Sequence, residues 1–188
     1  MDNTSTLTTK GSTMKTLDIA YIALGAALIA VCSWISIPTT VPFTLQTFAV
    51  FAMLSLLGGR RGTLSILVYI LLGAVGAPVF AGFSGGLGVV LGSTGGYIIG
   101  FILTGLIYLA ATQLFKKTLV VEIIALIVGL AACYALGTAW FMIVYSRGAD
   151  AINAMTALTW CVFPFIIPDL IKLALALILA RRVRPIIK

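Results

Sequence analysis

The chain has 188 residues, of which 61% are hydrophobic and only 9% are charged. Because soluble domains average about 25% charged residues, this composition excludes an ordinary soluble domain and predicts an integral membrane protein. The net charge of +7 does not indicate nucleic acid, since the basic residues cluster at the ends of apolar runs, where they orient helices in a membrane.

Several kinds of chemistry are missing from the sequence. No histidine is present, which excludes histidine-based catalysis and histidine-ligated metals. The cysteines Cys32, Cys133 and Cys161 lie within apolar runs, at spacings that resemble neither a zinc site nor a disulfide framework. No Gly-Lys-Ser/Thr phosphate loop occurs, so the chain cannot use ATP by that route. We therefore expect neither an enzyme nor a bound cofactor or metal.

The apolar runs predict an all-α fold with six transmembrane helices. Residues 1–15 are polar and rich in Thr and Ser, which predicts a flexible N-terminal segment, and residues 16–188 are expected to form a single membrane domain. A membrane-spanning helix needs about 20 apolar residues. The predicted helices cover residues 16–37, 43–57, 63–76, 94–115, 119–145 and 155–180. Pro38 and Pro42 force an extended connection after the first helix, and the sequence GGRRG at 58–62 ends the second.

Residues 77–93 differ from the rest of the chain because they are both glycine-rich and apolar. The segment has too much glycine for a stable helix and too little polarity for a solvated loop. Irregular backbone at membrane depth is tolerated only where protein buries it or where it lines a cavity. The sequence therefore predicts a loop folded over, or into, the outer end of the helix bundle.

The distribution of basic residues predicts the orientation. With six helices and a cytoplasmic N-terminus, one side of the membrane carries Lys10, Lys15, Arg60, Arg61, Lys116, Lys117, Arg181, Arg182, Arg184 and Lys188. The other side carries Arg147, which Asp150 offsets. Cytoplasmic loops are enriched in Lys and Arg, so both termini are expected in the cytoplasm of a multi-pass cell-membrane protein, with the 38–42, 77–93 and 146–153 loops outside.

Two charges interrupt the last apolar run. Asp169 and Lys172 are three residues apart and share one face of a helix. Their depth depends on the start of this helix: they lie near mid-membrane if it begins at Met155, and close to the outer surface if it begins at Pro164. They could neutralise each other structurally, bind a polar small molecule with the help of Gln46 and Tyr97, or relay protons. Ligand binding is favoured, because a buried ion pair contributes little to stability.

Small residues form a stripe on the first predicted helix. Its members follow a three-four-three spacing: Ala20, Ala23, Ala27 and Ala30. Such a smooth stripe permits close packing within the bundle, or close docking of a second membrane protein.

Four stretches of the sequence carry a resemblance to a known family. They are residues 41–47 (VPFTLQT), 73–81 (GAVGAPVFA), 95–101 (GGYIIGF) and 164–172 (PFIIPDLIK). In these stretches the chain resembles the BioY family, the biotin-binding subunits of energy-coupling-factor (ECF) vitamin transporters. The resemblance implies capture of biotin from outside and its delivery inward. The implied partners are a transmembrane coupling protein, docked on the alanine stripe, and two ATPase subunits.

The resemblance and the chemistry of biotin together suggest a set of ligand-binding residues. Aromatic rings suit the fused rings of biotin, polar side chains suit its ureido group, and hydroxyl or backbone N–H groups near the glycine-rich loop suit its carboxylate. The candidates are Phe43, Thr44, Gln46, Phe80, Gly82, Phe83, Ser93, Tyr97, Asp169 and Lys172. The sequence does not assign each polar residue to one end of biotin.

Two other functions remain open at this point. The first is a sister subunit for another vitamin, such as thiamine or riboflavin. The second is a stand-alone ion-coupled carrier that uses Asp169 as its proton site. The absence of a second carboxylate within the membrane and of a repeated half argues against the carrier.

Overall fold

The computed structural model describes residues 15–146 and 152–187, and these ranges are almost entirely α-helical. Their helices are α1 (Thr16–Trp34), α2 (Gln46–Ala74), α3 (Leu87–Val90), α4 (Gly95–Leu114), α5 (Leu119–Tyr145), α6 (Ala154–Cys161) and α7 (Phe163–Ile187). The predicted all-α class is confirmed. Residues 1–14, and most of the predicted 146–153 loop, fall outside the described residues.

Five helical stretches are long and apolar enough to cross a membrane. They are Thr16–Trp34, Gln46–Ala74, Gly95–Leu114, Leu119–Tyr145 and Ala154–Ile186. Large apolar side chains point away from the bundle on these stretches, as at Leu24, Leu71, Leu106, Ile124 and Leu175, which are all exposed. Lipid is the solvent that suits such a surface. The chain is therefore a multi-pass membrane protein.

A short β-hairpin joins α1 to α2. Strands β1 (Ser36–Ile37) and β2 (Phe43–Thr44) pair in antiparallel fashion around the two prolines. The first helix therefore ends at Trp34 and the second begins at Gln46, so the predicted limits at Ile37 and Phe43 are wrong. The cause is local: a residue that precedes proline is pushed out of the α region, and Ile37 precedes Pro38.

Helix α2 reverses its direction at Gly58. This residue has φ 82° and ψ 168°, which interrupts the helix within the predicted 58–62 boundary. A Cβ atom on Gly62 would lie 2.8 Å from the Cα atom of Leu54, whereas eight residues of continuous helix span about 12 Å. Likewise Gln46 Nε2 lies 2.9 Å from the hydroxyl of Tyr69, 23 residues later. The two halves of α2 therefore lie side by side.

Residues 75–94, which we call the lid segment, lie across one end of the bundle. They contain a 3-10 turn at Ala81–Phe83 and the four-residue helix α3. Two tryptophans near the C-terminal ends of their helices hold the segment: Trp34 of α1 donates to the Pro78 carbonyl at 2.8 Å, and Trp140 of α5 donates to the Gly92 carbonyl at 2.9 Å. The lid segment thus has the position that its composition predicted, against the ends of several helices.

Phe80 fixes the lid segment from inside. Its ring is 1% exposed and meets the ring of Tyr69 edge to face, with 5.4 Å between centroids. A Cβ atom on Gly73 would fall 2.0 Å from the Phe80 ring, so only glycine leaves room for this ring beside α2. The Gly86 N–H donates to the Gly73 carbonyl at 2.7 Å and closes the arrangement.

The last predicted helix is two helices. Val162, with φ −127° and ψ −58°, separates α6 from α7, and α7 extends to Ile187 rather than ending at Ala180. Pro164 suits the restart, because the first turn of a helix does not need the N–H group that proline lacks. Asp169 is therefore only six residues, or about 9 Å, along α7. Of the two predicted depths, the structure has the one near the lid segment.

Charged side chains hold the opposite end of the bundle. Arg61 pairs with Asp18 at 2.5 Å, which joins α1 to the reversal in α2. Arg184 near the end of α7 donates to Glu122 Oε1 at 2.7 Å and to the Ser55 carbonyl. Glu122 is only 3% exposed. A buried carboxylate therefore lies in the first turn of α5, at the charged end of the bundle, where Arg184 neutralises it.

Candidate functional site

A cavity of about 160 Å³ lies beneath the lid segment. Its wall is built from the β-hairpin, the lid segment and helices α2, α4, α5, α6 and α7. The polar side chains in the wall are Thr44, Gln46, Thr47, Ser84, Thr94, Tyr97, Tyr134, Asp169 and Lys172. The cavity therefore combines an apolar interior with a concentrated polar corner, as small-molecule sites commonly do.

An ion pair forms the polar corner. Lys172 Nζ lies 2.8 Å from Asp169 Oδ1, and the two residues are 5% and 2% exposed. They face each other because they are three residues apart on α7. Removing two charges from water is costly, and further hydrogen bonds are needed to offset that cost. The neighbouring residues supply those bonds.

Lys172 uses all three of its N–H donors on protein acceptors. Besides Asp169, its ammonium donates to the Thr44 carbonyl at 2.7 Å and to Thr47 Oγ1 at 3.2 Å. The ring of Phe43 covers the ammonium, with 4.1 Å from Nζ to the ring centroid. A ligand carbonyl can reach Lys172 by replacing Thr47, because that hydrogen bond is the longest of the three.

Asp169 retains accepting capacity towards the cavity. Its Oδ1 accepts from Lys172 and from Thr47 Oγ1 at 2.9 Å, and its Oδ2 accepts from the Tyr134 hydroxyl at 2.6 Å. Each carboxylate oxygen can accept two hydrogen bonds. One lone pair of Oδ2 is therefore left for a ligand N–H group. The corner is built to accept a hydrogen bond from the ligand while its charges cancel.

Gln46 forms a second polar position in the wall. Its side-chain nitrogen donates to the hydroxyl of Tyr69 at 2.9 Å, behind the cavity, and the residue is 6% exposed. With Nε2 engaged by Tyr69, the amide oxygen remains as the acceptor for a ligand.

The remainder of the cavity is apolar and aromatic. Tyr97 of α4 enters the wall and its hydroxyl shares a 2.9 Å hydrogen bond with Thr138 of α5. The other apolar and sulfur-bearing lining residues are Val41, Pro42, Phe80, Ala81, Val89, Ile98, Phe101, Leu130, Cys133, Cys161 and Phe165. Such a wall suits an apolar ring system.

The structure brings together six of the ten predicted ligand-binding residues. Thr44, Gln46, Phe80, Tyr97, Asp169 and Lys172 line the cavity.

The other four predicted residues do not line the cavity. Phe43 acts from behind by covering Lys172 and stacking on Phe165. Phe83, in the lid segment, is 64% exposed and stacks on Trp34 of α1. Gly82 and Ser93 lie in the lid segment without reaching the wall. Phe80 and Phe83 are three residues apart, but the 3-10 turn between them sends one ring inward and the other outward.

Sequence reasoning missed several lining residues. Thr47 and Tyr134 both hold Asp169, yet they are 122 and 35 residues away from it in the chain. Thr47 lies next to Gln46 and within the family-like stretch 41–47, which was the available signal. Tyr134 lies in an apolar run with no motif around it, and Cys133 and Cys161 gave no signal beyond apolar packing.

The alanine stripe on α1 points mostly away from the bundle. Ala20, Ala23 and Ala27 are exposed, while Ala30 is buried in the core. Packing within this bundle therefore accounts for Ala30 but for none of the other three.

Comparisons with known proteins agree with the resemblance noted in the sequence. The BioY family model matches residues 4–188. The chain belongs to the BioY family. Two BioY relatives are the probable biotin transporter of Pyrococcus horikoshii and the biotin transporter of Thermotoga maritima. The first is 40% identical over 172 residues, which cover 91% of this chain and 98% of the relative. The second is 42% identical over 159 residues, which cover 84% and 90%.

A solved structure has the same fold. It is a crystal structure of the S-component for biotin from an ECF-type ABC transporter, which aligns with a TM-score of 0.78 and 28% identity. The alignment covers 92% of this chain and 95% of that chain. The BioY relatives are transporters rather than enzymes, and the resemblance predicted from the four sequence stretches is confirmed.

Proposed function

We propose that this BioY chain is the biotin-binding S-component of an ECF-type transporter, which captures biotin from outside the cell and delivers it inward with an energy-coupling module. The observation that carries the proposal is the cavity beneath the lid segment with its buried Asp169–Lys172 pair, in a chain whose BioY relatives are biotin transporters. In this role the protein is not an enzyme, and biotin is its cargo rather than a cofactor.

The polar corner complements the ureido group of biotin. This group offers two N–H donors and one carbonyl acceptor. An N–H group donates to the free lone pair of Asp169 Oδ2, and the ureido oxygen accepts from Lys172 in place of Thr47. Hydrogen bonds to charged groups contribute about 1.5–3 kcal/mol each, so this corner supplies much of the selectivity. Gln46 Oε1 is a further acceptor on the same wall.

The apolar wall suits the fused rings and the thioether of biotin. Phe80 and Tyr97 provide the aromatic surfaces, and Phe80 belongs to the lid segment. The valerate chain then points towards the lid segment, where hydroxyl groups such as Ser84 and Thr94 are within the wall. The lid segment has to move for biotin to enter or leave.

In the proposed orientation the chain crosses the membrane six times, with both termini in the cytoplasm. The reversal at Gly58 supports this count, because it lets each half of α2 cross separately. The charged end of the bundle, with Arg61 and Arg184, then faces the cytoplasm, and the lid segment faces outward.

The proposed partners are a transmembrane coupling protein and two ATPase subunits. The exposed part of the alanine stripe supports docking of the coupling protein, since small residues let a second helix approach closely. The chain has no phosphate-binding loop, so ATP hydrolysis belongs to the partners.

Identification of the bound small molecule tests the proposal. The chain is purified in detergent, denatured, and the released molecule is identified by mass spectrometry; titration calorimetry then compares biotin with thiamine and riboflavin. We expect biotin to be released and to bind far more tightly than either competitor. Release of another vitamin, or equal affinity for all three, would contradict the proposal. Biotin uptake by the chain alone in liposomes would instead favour the ion-coupled carrier.

A further inference from the structure

Tyr69 is a fully buried tyrosine that lies behind the cavity wall rather than in it. It is 1% exposed and does not line the cavity. Its hydroxyl accepts the hydrogen bond from Gln46 Nε2, while its ring packs edge to face on Phe80 of the lid segment. Tyr69 therefore touches one wall residue and one lid residue at the same time.

Ser33 on α1 is a second buried residue that contacts the lid segment. The Ser33 hydroxyl donates to the Val79 carbonyl of the lid segment at 2.5 Å. Tyr69 and Ser33 therefore hold neighbouring residues of the lid segment, Tyr69 through the Phe80 ring and Ser33 through the Val79 carbonyl.

We propose that Tyr69 and Ser33 are positioning residues: Tyr69 orients the Gln46 amide towards the ligand, and the two residues together hold the lid segment against the bundle. This inference rests on the proposed function, since it concerns the biotin site. It assigns a role to two residues that touch no ligand, and it makes the orientation of one wall group depend on the position of the lid segment.

Tyr69 can orient the Gln46 side chain because the two ends of its amide group are nearly alike in shape. The oxygen and nitrogen of a glutamine side chain have nearly the same shape, so only hydrogen bonds distinguish its two orientations. With Tyr69 accepting from Nε2, the amide oxygen faces the cavity. Without the Tyr69 hydroxyl, both orientations are available, and the site no longer presents a fixed acceptor to a ligand N–H group.

A double-mutant cycle on biotin affinity tests the orientation role. Tyr69→Phe keeps the ring against Phe80 and removes only the hydroxyl. We expect it to weaken biotin binding about tenfold in the unmodified chain and less than about twofold in a Gln46→Ala background, because its effect passes through Gln46. An equal loss in both backgrounds, or no loss in the first, would overturn the role.

The matched control for this cycle is Tyr108→Phe. Tyr108 is another fully buried tyrosine, on α4, and it does not line the cavity. We expect its replacement to leave biotin affinity unchanged. Melting temperatures of the variants report any general loss of stability, which cannot reproduce the non-additivity between Tyr69 and Gln46.

The rate of biotin dissociation tests the lid role. Ser33→Ala removes the hydrogen bond to Val79, and we expect biotin to dissociate about fivefold faster. The control is Ser65→Ala, a buried serine on α2 whose hydroxyl donates to the Arg61 carbonyl of its own helix, for which the rate should not change. An unchanged dissociation rate in Ser33→Ala would overturn the lid role.

Failure of this inference is distinguishable from failure of the proposed function. If the unmodified chain does not bind biotin, the proposed function is wrong. If it binds biotin tightly while Tyr69→Phe and Ser33→Ala behave like their controls, the function stands and the positioning role is wrong.

Discussion

At the scale of single residues, the polar corner is a set of mutually dependent groups. Asp169 is held by Lys172, Thr47 and Tyr134, which come from three different helices. Thr47 touches both members of the ion pair, and its 3.2 Å bond to Lys172 is longer than its 2.9 Å bond to Asp169, so a ligand carbonyl replaces the bond to Lys172. Removal of either charge leaves the other one buried without compensation.

The first prediction concerns this pair. Asp169→Asn removes a charged acceptor, and we expect biotin affinity to fall at least about 100-fold while the chain still folds. Lys172→Ala should also abolish tight binding, and it should lower the melting temperature, because an unpaired buried carboxylate costs about 3–5 kcal/mol. Calorimetry with biotin and thermal unfolding in detergent measure the two effects.

The double variant provides the control for that prediction. Asp169→Asn combined with Lys172→Ala no longer buries an unpaired charge, so it should melt at a higher temperature than Lys172→Ala alone. Unchanged biotin affinity in both single variants would remove Asp169 and Lys172 from the site.

Part of this site could be predicted from the sequence, and the rest could not. Asp169 and Lys172 were recognisable because charge in an apolar run is costly and helical spacing places them on one face. Tyr134 was not recognisable, since its partner is 35 residues away and a tyrosine in an apolar helix is usually a packing residue. Which ring of the lid segment faces inward depends on the turn at Ala81–Phe83, which local sequence does not determine.

At the scale of elements, interruptions of helices position the site. The break at Val162 lets α7 start near the lid segment, so that Asp169 meets Thr47 at the beginning of α2. The reversal at Gly58 brings Tyr69 back beside Gln46. The glycines at 58–62 predicted the interruption of α2, and Pro38 and Pro42 predicted the extended connection before it. The division of the last helix was predicted only as an alternative, because proline at 164 fits a first turn but does not require one.

The second prediction concerns the close contact between Gly73 and the Phe80 ring. Gly73→Ala would place a methyl group inside the space of the Phe80 ring and displace the lid segment, at a cost of about 1–3 kcal/mol. We expect faster biotin dissociation and a lower melting temperature. Gly88→Ala, in α3 of the same segment, meets no atom within 4 Å and should change neither. Equal behaviour of the two variants would show that the Gly73–Phe80 contact is not needed to hold the lid segment.

The third prediction concerns the outer face of α1. Leucine at both Ala23 and Ala27 should leave biotin binding by the isolated chain unchanged and should block uptake in cells that contain the whole transporter, because the coupling protein can no longer approach closely. Ala110→Leu, at another exposed alanine, on α4, should permit uptake. Normal uptake by the α1 double variant would exclude this face as the docking surface.

At the scale of the whole molecule, the two ends of the bundle have different chemistry. One end is closed by hydrogen bonds from tryptophan side chains to the lid segment. The other is closed by ion pairs, with Arg184 joining α7 to α2 and α5 through Ser55 and Glu122. These three helices also carry Thr47, Tyr134 and Asp169, so the charged end aligns the helices that form the polar corner.

The fourth prediction concerns orientation. A cysteine at Thr39, in the exposed turn of the β-hairpin, should react in intact cells with a thiol reagent that does not cross membranes. A cysteine at Lys116, in the connection that follows α4, should react only after the cells are opened, because the basic end faces the cytoplasm. The unmodified chain, with its three native cysteines, gives the background. The reverse pattern would invert the proposed topology.

The hydrogen bonds from tryptophan side chains to the lid segment also make the intrinsic fluorescence of the protein a reporter of lid movement. Of its three tryptophans, Trp34 and Trp140 donate their indole N–H groups to the lid backbone, and Trp160 on α6 instead meets the ring of Tyr145. Indole emission depends on the hydrogen bonding and the polarity around the ring, so opening of the lid segment changes the fluorescence of the first two. Stopped-flow fluorescence of a Trp160→Phe variant can therefore follow entry and release of biotin in real time without an attached dye.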